Sequence, residues 1–549
     1  MKVKKILSVC LCCICMLSFS GCGGGPGAKV DEGVVNVMMI GKGYDKGFVE
    51  DVAEAFNNVY KEKGYKINIL EPRSNFSGTV ALNEMRLGNE TGYDVVITEG
   101  VSVQQVTDPE FGVCVESLND LFDSTPINFD GTEGDKKISE LYNESEDWRY
   151  KIENTYWSVP YVASCRGFVC NEKVLSSYGI SGLPVTTDEL FKDFDIIYNG
   201  ANGKSGIRPV TWGGENAFGY ALPPFYTAIA QLMGQDAYDE FFKMNYLLND
   251  DGTIKADGYN IVNNEAIKTA IELIMQEFDV AYSVTGSITQ KHTNAHAQII
   301  TGKTAFMSDG DFFFNEVRTS FPNYLNDVRF VAIPVCTQLG INLKLDGTGS
   351  DRDKCDKILS YIVKGVDEGN ALTELKAAAE DQFGVTLTDE QVEKISEARH
   401  IGNGGTNPMF IIKDSKNAEI AKLFLRMMLS EDAAKVYAKY GMIHPIFSSS
   451  EVDSEYQFIK DVYKVNSLAE YYCTSTLYPG SVRSKTNMFL IPPYNAQLAV
   501  TFKDEMGAVN KPSERNYSLL ASTTFNKVKE NVKNNWAALM NQGGYRIGE

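Results

Sequence analysis

Between residues 34 and 98 the chain alternates strand and helix patterns, and nothing else in it restricts the fold as tightly. Residues 34–40 (VVNVMMI) form an apolar run with the length of a buried strand. Residues 45–63 place Phe48, Val52, Ala55, Phe56 and Val59 on one helical face. A second strand pattern at 66–70, a second helix at 76–87 and a third strand at 94–98 complete a β-α-β-α-β series. Such a series folds as a parallel sheet with right-handed crossovers and helices on its faces. Ligands of these sheets sit beyond the carboxyl ends of the strands. That rule singles out 41–44, 71–75 and 98–100.

A chain of 549 residues is too long for one core and calls for two or more domains. An extended aromatic segment, 156–161, leads into a strand at 167–170, and a helix starts with Thr186, Thr187, Asp188 and Glu189 as cap and acidic first turn. Helical periodicity recurs at 217–233, 237–248, 264–277 and 289–301. Short strands at 304–307 and 328–333 flank a helix that starts at Asp309. Residues 336–400 are charged and mostly helical, with a turn-rich stretch at 346–351, and read as an insertion on one lobe. A strand at 409–412, helices at 417–428 and 431–439, and a long amphipathic helix at 517–540 with Trp536 on its apolar face close the chain.

The N-terminus joins Lys2, Lys4 and Lys5 to an apolar run at 6–19 that is too short to span a bilayer. Ser20-Gly21-Cys22 followed by Gly23-Gly24-Gly25-Pro26-Gly27 resembles the bacterial lipoprotein signal, although Phe19 stands where that pattern usually has an aliphatic residue. The resemblance implies a signal peptide at 1–21, lipid on Cys22, a flexible tether at 22–32 and a place on the outer face of the cytoplasmic membrane. An ordinary secretory cut near Gly25 is the other reading, and both mean export. The formal net charge of −20 argues against nucleic acid and anionic membrane surfaces as partners, since basic clusters supply most of that affinity. Of eleven cysteines, Cys10, Cys12, Cys13 and Cys15 lie in the leader; beyond Cys22, six more are sparse, with no CxxC pair for zinc. They read mostly as small core residues, with a Cys336–Cys355 bridge left open.

Four stretches, in order, resemble the extracellular solute-binding proteins of family 1, the carbohydrate-binding group that serves ABC importers. They are GYDVVITEG (92–100), YWSVPYVASCRGFVCNEKVLSSYGI (156–180), GKTAFMSDGDFFFNEV (302–317) and IIKDSKNAEIAKLFLRMMLSEDAAKVYAKYG (411–441). The resemblance implies an α/β, two-lobe, periplasmic-binding-protein-like fold with hinge crossovers and a helical insertion. Lobe 1 would take 33–161 and 406–470, and lobe 2 would take 162–405 and 471–549. It also implies a sugar ligand held by closure of a monomer, permease subunits of an ABC importer as partners, no cofactor and no chemistry on the ligand.

Sugars show an apolar face of C–H groups and an edge of hydroxyls, so their sites need aromatic plates and planar polar groups. Phe312 falls where the family places a stacking tryptophan; the other reading is core. Asp311 is a helix cap or a sugar ligand. Thr98 and Glu99 end the third strand. Arg166, just past the hinge, can bond hydroxyls or hold an ion pair across the lobes. Trp212, beside Glu215 in a Gly-Gly loop, reads as a ligand contact, with Tyr44 and Tyr494 as further candidates, while Trp157 reads as packing. Enzyme signatures fail. The phosphate-loop endings at Gly302 and Gly203 lack their first glycine (Ala297 and Tyr198), and His292 and His296 lack the adjacent glutamate of a zinc protease and read as a surface pair. There is no GxSxG elbow, and 346–353 lacks the sixth-position glycine and closing glutamate of a calcium loop. A non-sugar solute on the same fold, and an exported glycosidase with two facing carboxylates, are the rival readings.

Overall fold

The computed structural model describes residues 31–41, 43–44, 46–142, 149–200, 206–447, 452–473, 481–483 and 511–548. The leader, Cys22, the tether up to residue 30 and Tyr494 lie outside the described residues.

Lobe 1 begins as its periodicity dictates: β1 (Val34–Met39), α1 (Gly47–Val59), β2 (Lys66–Ile69), α2 (Gly78–Arg86) and β3 (Val95–Ile97). Strand β1 pairs in parallel with both β2 and β3. Val35, Val37 and Met39 enter one core, while Met38 enters the core on the opposite face. A sheet buried on both faces needs continuous apolar strands, and VVNVMM is one. Asp94, fully buried just before β3, accepts from the Asn36 N–H at 2.8 Å and the Ser415 hydroxyl at 2.5 Å.

A two-stranded ribbon, β4 (Lys151–Ile152) with β5 (Thr155–Tyr156), precedes β6 (Val159–Asn171). Strand β6 runs unbroken for 13 residues, where the sequence suggested an extended segment and a separate short strand. It crosses from lobe 1 into lobe 2. There it meets α3 (Thr187–Gly200), β7 (Arg208–Val210), α4 (Ala217–Met233), α5 (Glu265–Glu277), α6 (His292–Ile300), β8 (Thr304–Gly310), the short α7 (Phe313–Val317) and β9 (Val328–Ala332). Strands β8 and β9 both pair antiparallel with β6.

Residues 336–400 fold as helices with their own apolar core, including α8 (Arg352–Asp367), α9 (Leu372–Phe383) and α10 (Asp389–His400). Arg352 grips Asp188 of α3 with two bonds, at 2.6 and 2.7 Å. The turn at 346–351 is satisfied from within. The Asp346 carboxylate accepts from the Thr348 hydroxyl and from the N–H groups of Thr348, Gly349, Ser350 and Asp351; the Thr348 hydroxyl first, then the N–H groups of Asp351, Gly349 and Thr348, hold it far below the usual carboxylate range. Cys336 and Cys355 are both buried and unpaired, which removes the bridge left open by the sequence.

From α10 the chain passes directly into β10 (Ile401–Ile411), which returns to lobe 1 antiparallel to β6 and then pairs with β3. The register shifts at Asn407–Pro408, a bulge of the kind that tolerates proline. Helices α11 (Ala418–Met428) and α12 (Glu431–Lys439) cover lobe 1. Helix α13 (Gln457–Leu468) corrects the division drawn from sequence: its Asp461 takes two bonds from Arg329 and the Phe330 N–H, so 457–468 packs on β9 of lobe 2. Strand β11 (Tyr471–Cys473) pairs with β10, and α14 (Tyr517–Gln542) packs on α5 with Trp536 in the core. No helix among the described residues is long and apolar enough to cross a membrane.

Glu277, at the end of α5, is buried with one carboxylate oxygen unpartnered among the described residues, and burial drives its carboxyl well above the usual range. A carboxyl raised on folding contributes fully below its unfolded pKa, and that contribution drains as pH rises. Glu277→Gln should therefore stabilise the protein by about 1–3 kcal/mol at pH 8 and change little at pH 4. Urea melts at both pH values check this; equal effects at the two would refute it.

Candidate functional site

Where β6 leaves the hinge, the end of β8 comes alongside it. The Asp311 N–H donates to the Cys165 carbonyl at 3.1 Å, and its Oδ1 accepts from the Cys165 N–H at 3.1 Å and the Ser164 hydroxyl at 2.9 Å. Its Oδ2 is buried with no partner among the described residues, and the residue is only 1% exposed. Burial pushes this carboxyl up to about 6, against the opposing pull of Ser164 and Arg166. Next to it the half-buried Phe312 ring lies beneath the Arg166 guanidinium, 4.6 Å from the ring centre. Gly310 leaves the room this ring needs, since a β-carbon there would stand 2.4 Å from it.

Lobe 1 reaches the same place through the loop after β1. Gly43 sits at φ +65°, a conformation glycine adopts freely, and a β-carbon on it would lie 3.3 Å from Phe312 Cβ. Tyr44 lies within reach of the Ser164 side chain, and its phenol is driven up by burial and then by Asp311. Glu99, half-buried at the end of β3, acts on both Tyr44 and Glu316. Residues from both lobes and from the crossing strand thus meet at one place.

A family model described as bacterial extracellular solute-binding protein matches residues 42–435. The chain belongs to that family. Solved structures agree on the fold. This solute-binding protein resembles a chitin oligosaccharide binding protein (TM-score 0.53, 12% identity, 92% of this chain and 100% of that one). It also resembles RafE from Streptococcus pneumoniae in its apo form (TM-score 0.53, 12% identity, 91% and 99%). A third likeness is the bacterial solute receptor AcbH, described as preferring β-D-galactopyranose (TM-score 0.51, 12% identity, 92% and 99%). No curated protein matches the sequence significantly. The two-lobe architecture implied by the sequence motifs is the architecture of these proteins.

Of the residues singled out from sequence, the structure brings Tyr44, Glu99, Arg166, Asp311 and Phe312 near one another. Three others go elsewhere. Trp212 is 3% exposed, donates its indole N–H to Ser283 Oγ at 2.9 Å and stands edge-on to Phe278, so it is packing within lobe 2. The glycines that suggested a ligand loop serve another purpose: at Gly213 and Gly214, β-carbons would collide with His292 and Ile288. Glu215 is exposed, its N–H bonded to the Gln290 carbonyl. Thr98 is fully buried with its hydroxyl donating to the Phe76 carbonyl, which makes it a strut under the cleft. Tyr494 lies outside the described residues.

The sequence reading missed Ser164, Asn315, Glu316 and His296. Both polar atoms of the Asn315 amide are buried without a partner among the described residues. Asn315 and Glu316 follow Asp311 and Phe312 by one helical turn, a spacing that could have marked them. His296 corrects the supposed surface pair: His292 is exposed, whereas His296 is buried between Asp309 and Glu316.

Proposed function

We propose that this protein captures a saccharide in the cleft between its lobes and passes it unaltered to an ABC importer, while a lipid on Cys22 holds it, as a monomer, to the outer face of the membrane. The observation that carries the reading is the meeting of Tyr44 from lobe 1 with Asp311 and Phe312 from lobe 2. Two rings offer plates for sugar C–H faces, and the buried Asp311 oxygen, unpartnered among the described residues, offers an acceptor for hydroxyls. The like-folded proteins named for chitin oligosaccharide and β-D-galactopyranose make saccharides the first class to test.

A second reading has its own support. With Trp212 withdrawn into the core and Arg166 laid over one face of Phe312, the cleft has fewer free ring faces than a sugar site commonly uses. The Asp311 oxygen would accept equally from an ammonium group, so a polyamine or other amine-bearing solute is the alternative. The test is a thermal-shift panel on the chain lacking residues 1–22, using mono- and oligosaccharides, amino acids and polyamines, with product analysis after incubation. We expect one saccharide class to raise the melting temperature by several degrees and to be recovered intact. A shift from spermidine alone would move the reading to amines, and a cleaved sugar would make the protein a glycosidase.

A further inference from the structure

We propose that His296 is a positioning residue for the cleft: its imidazolium, clamped between Asp309 and Glu316, holds the Glu316 carboxylate against the lobe 1 loop at Gly43, and this support for closure is lost when the ring gives up its proton. The inference rests on the reading of solute capture by lobe closure.

The geometry is tight. His296 on α6 is 2% exposed, with Nε2 at 2.8 Å from Asp309 Oδ2 and Nδ1 at 3.2 Å from Glu316 Oε2. Phe313 stands edge-on to the ring at 5.0 Å and fixes its plane. The other Asp309 oxygen is tied by the Gly310 N–H at 2.8 Å. Glu316 Oε1 reaches to 3.8 Å from where a β-carbon on Gly43 would stand, which puts it at the junction of the lobes.

The Asp309 contact is a hydrogen bond, whereas Glu316 Oε2 has no hydrogen-bond partner among the described residues and meets Nδ1 as an ion pair; only the protonated ring carries the charge and the second N–H that draw Glu316 in. A neutral ring keeps one N–H and turns a lone pair toward the second carboxylate. Asp309 is the shorter contact and is anchored on its other side, so the hydrogen stays on Nε2, and Nδ1 then repels Glu316. Half-buried Glu316, no longer held, is the partner free to move.

The surrounding charges fit this arrangement. Burial, with Asp309 and Glu99 of lobe 1 adding to it, pushes the Glu316 carboxyl up, and His296 and then Arg166 of β6 are the groups that favour its ionised form; from α4, Tyr220 lies in the field of both Asp309 and Glu316. His292 on the same helix stands 5.6 Å away, ring to ring. Of the turns packed on α6, one carries the exposed Glu215 and the other carries Asp327, which faces Lys173 at 3.9 Å. Burial alone would lower the His296 pKa, but Asp309 and then Glu316 outweigh it and hold it above the ordinary value. A histidine raised in this way makes its full contribution below about 6.5, and that contribution is lost as pH climbs through the raised value.

The test needs no solute. Ring-carbon NMR of the histidines, with His296 assigned through His296→Gln, gives its titration midpoint in the wild type and in Glu316→Gln. Hydrogen exchange at the Gly43 and Tyr44 amides, corrected for intrinsic rates, gives the protection of the lobe 1 loop across the same pH range. We expect a wild-type midpoint above the ordinary histidine value, falling at least tenfold in proton affinity in Glu316→Gln. Loop protection should drop several-fold through that midpoint in the wild type and show no step in the variant. A midpoint at or below the ordinary value, or a loop indifferent to it, overturns the inference. A solute panel without a hit would instead sink the capture reading and leave these two measurements standing.

Discussion

Replacing Gly404 with alanine should destabilise the protein by roughly 3 kcal/mol and weaken solute capture at the same time. Gly404 lies in β10 opposite Cys165 of β6, where the two strands cross between the lobes. A β-carbon there would stand 2.1 Å from the Ser164 carbonyl oxygen and 3.2 Å from the Tyr472 ring. The obstacle is backbone, which cannot swing aside as a side chain can, so the strands must part. Parting them shifts Ser164, whose hydroxyl bonds to Asp311 and lies within reach of Tyr44. The injury to stability and the injury to the cleft therefore share one cause. A urea melt and the thermal shift with the solute chosen by the panel measure the two. Loss of stability with an unchanged ligand shift would uncouple the crossing from the cleft.

Asp311→Asn should cost at least thirtyfold in affinity, about 2 kcal/mol, while the protein without solute becomes more stable at neutral pH. The amide can still accept from Ser164 and Cys165 through its oxygen. It then presents a donor where the unpartnered Oδ2 had been an acceptor, so a ligand hydroxyl or ammonium meets N–H instead of O. For stability the sign runs the other way. A carboxyl pushed up to about 6 by burial gives its full contribution below about 4 and loses it as pH rises through 6. Asparagine has no such loss. Wild type and variant should thus converge near pH 4 and differ by about 3 kcal/mol at pH 7. Isothermal titration and pH-resolved melting separate the effects. Affinity that survives the change would mean that ligand does not reach Asp311.

Lobe 1 was legible because its strands are buried on both faces and its helices carry strong apolar stripes. VVNVMM and DVVIT admit few other readings. The hinge was not, and the reason is visible in β10. IGNGGTNPMFI has glycines and a proline where strand formers are expected, because its central residues are chosen for close approach to β6 rather than for packing. Only its end, 409–412, looked like a strand. Position relative to strand ends drew attention to Tyr44 and Glu99, and the family resemblance to Arg166, Asp311 and Phe312; the structure brings these five near one another. Trp212 misled because residue type says nothing of direction: a tryptophan beside two glycines looks exposed, but the glycines let the loop press down on 288 and 292 while the ring turns inward. His296 was hidden for the opposite reason. Its partners are distant in sequence, and only the packing of α6 on β8 and α7 joins them.

The last helix of the inserted module ends at His400, and the crossing strand begins at Ile401. No flexible spacer absorbs movement between them. Helix and strand share one rigid run of backbone, so any rotation of the module must carry the first residues of the crossing strand with it.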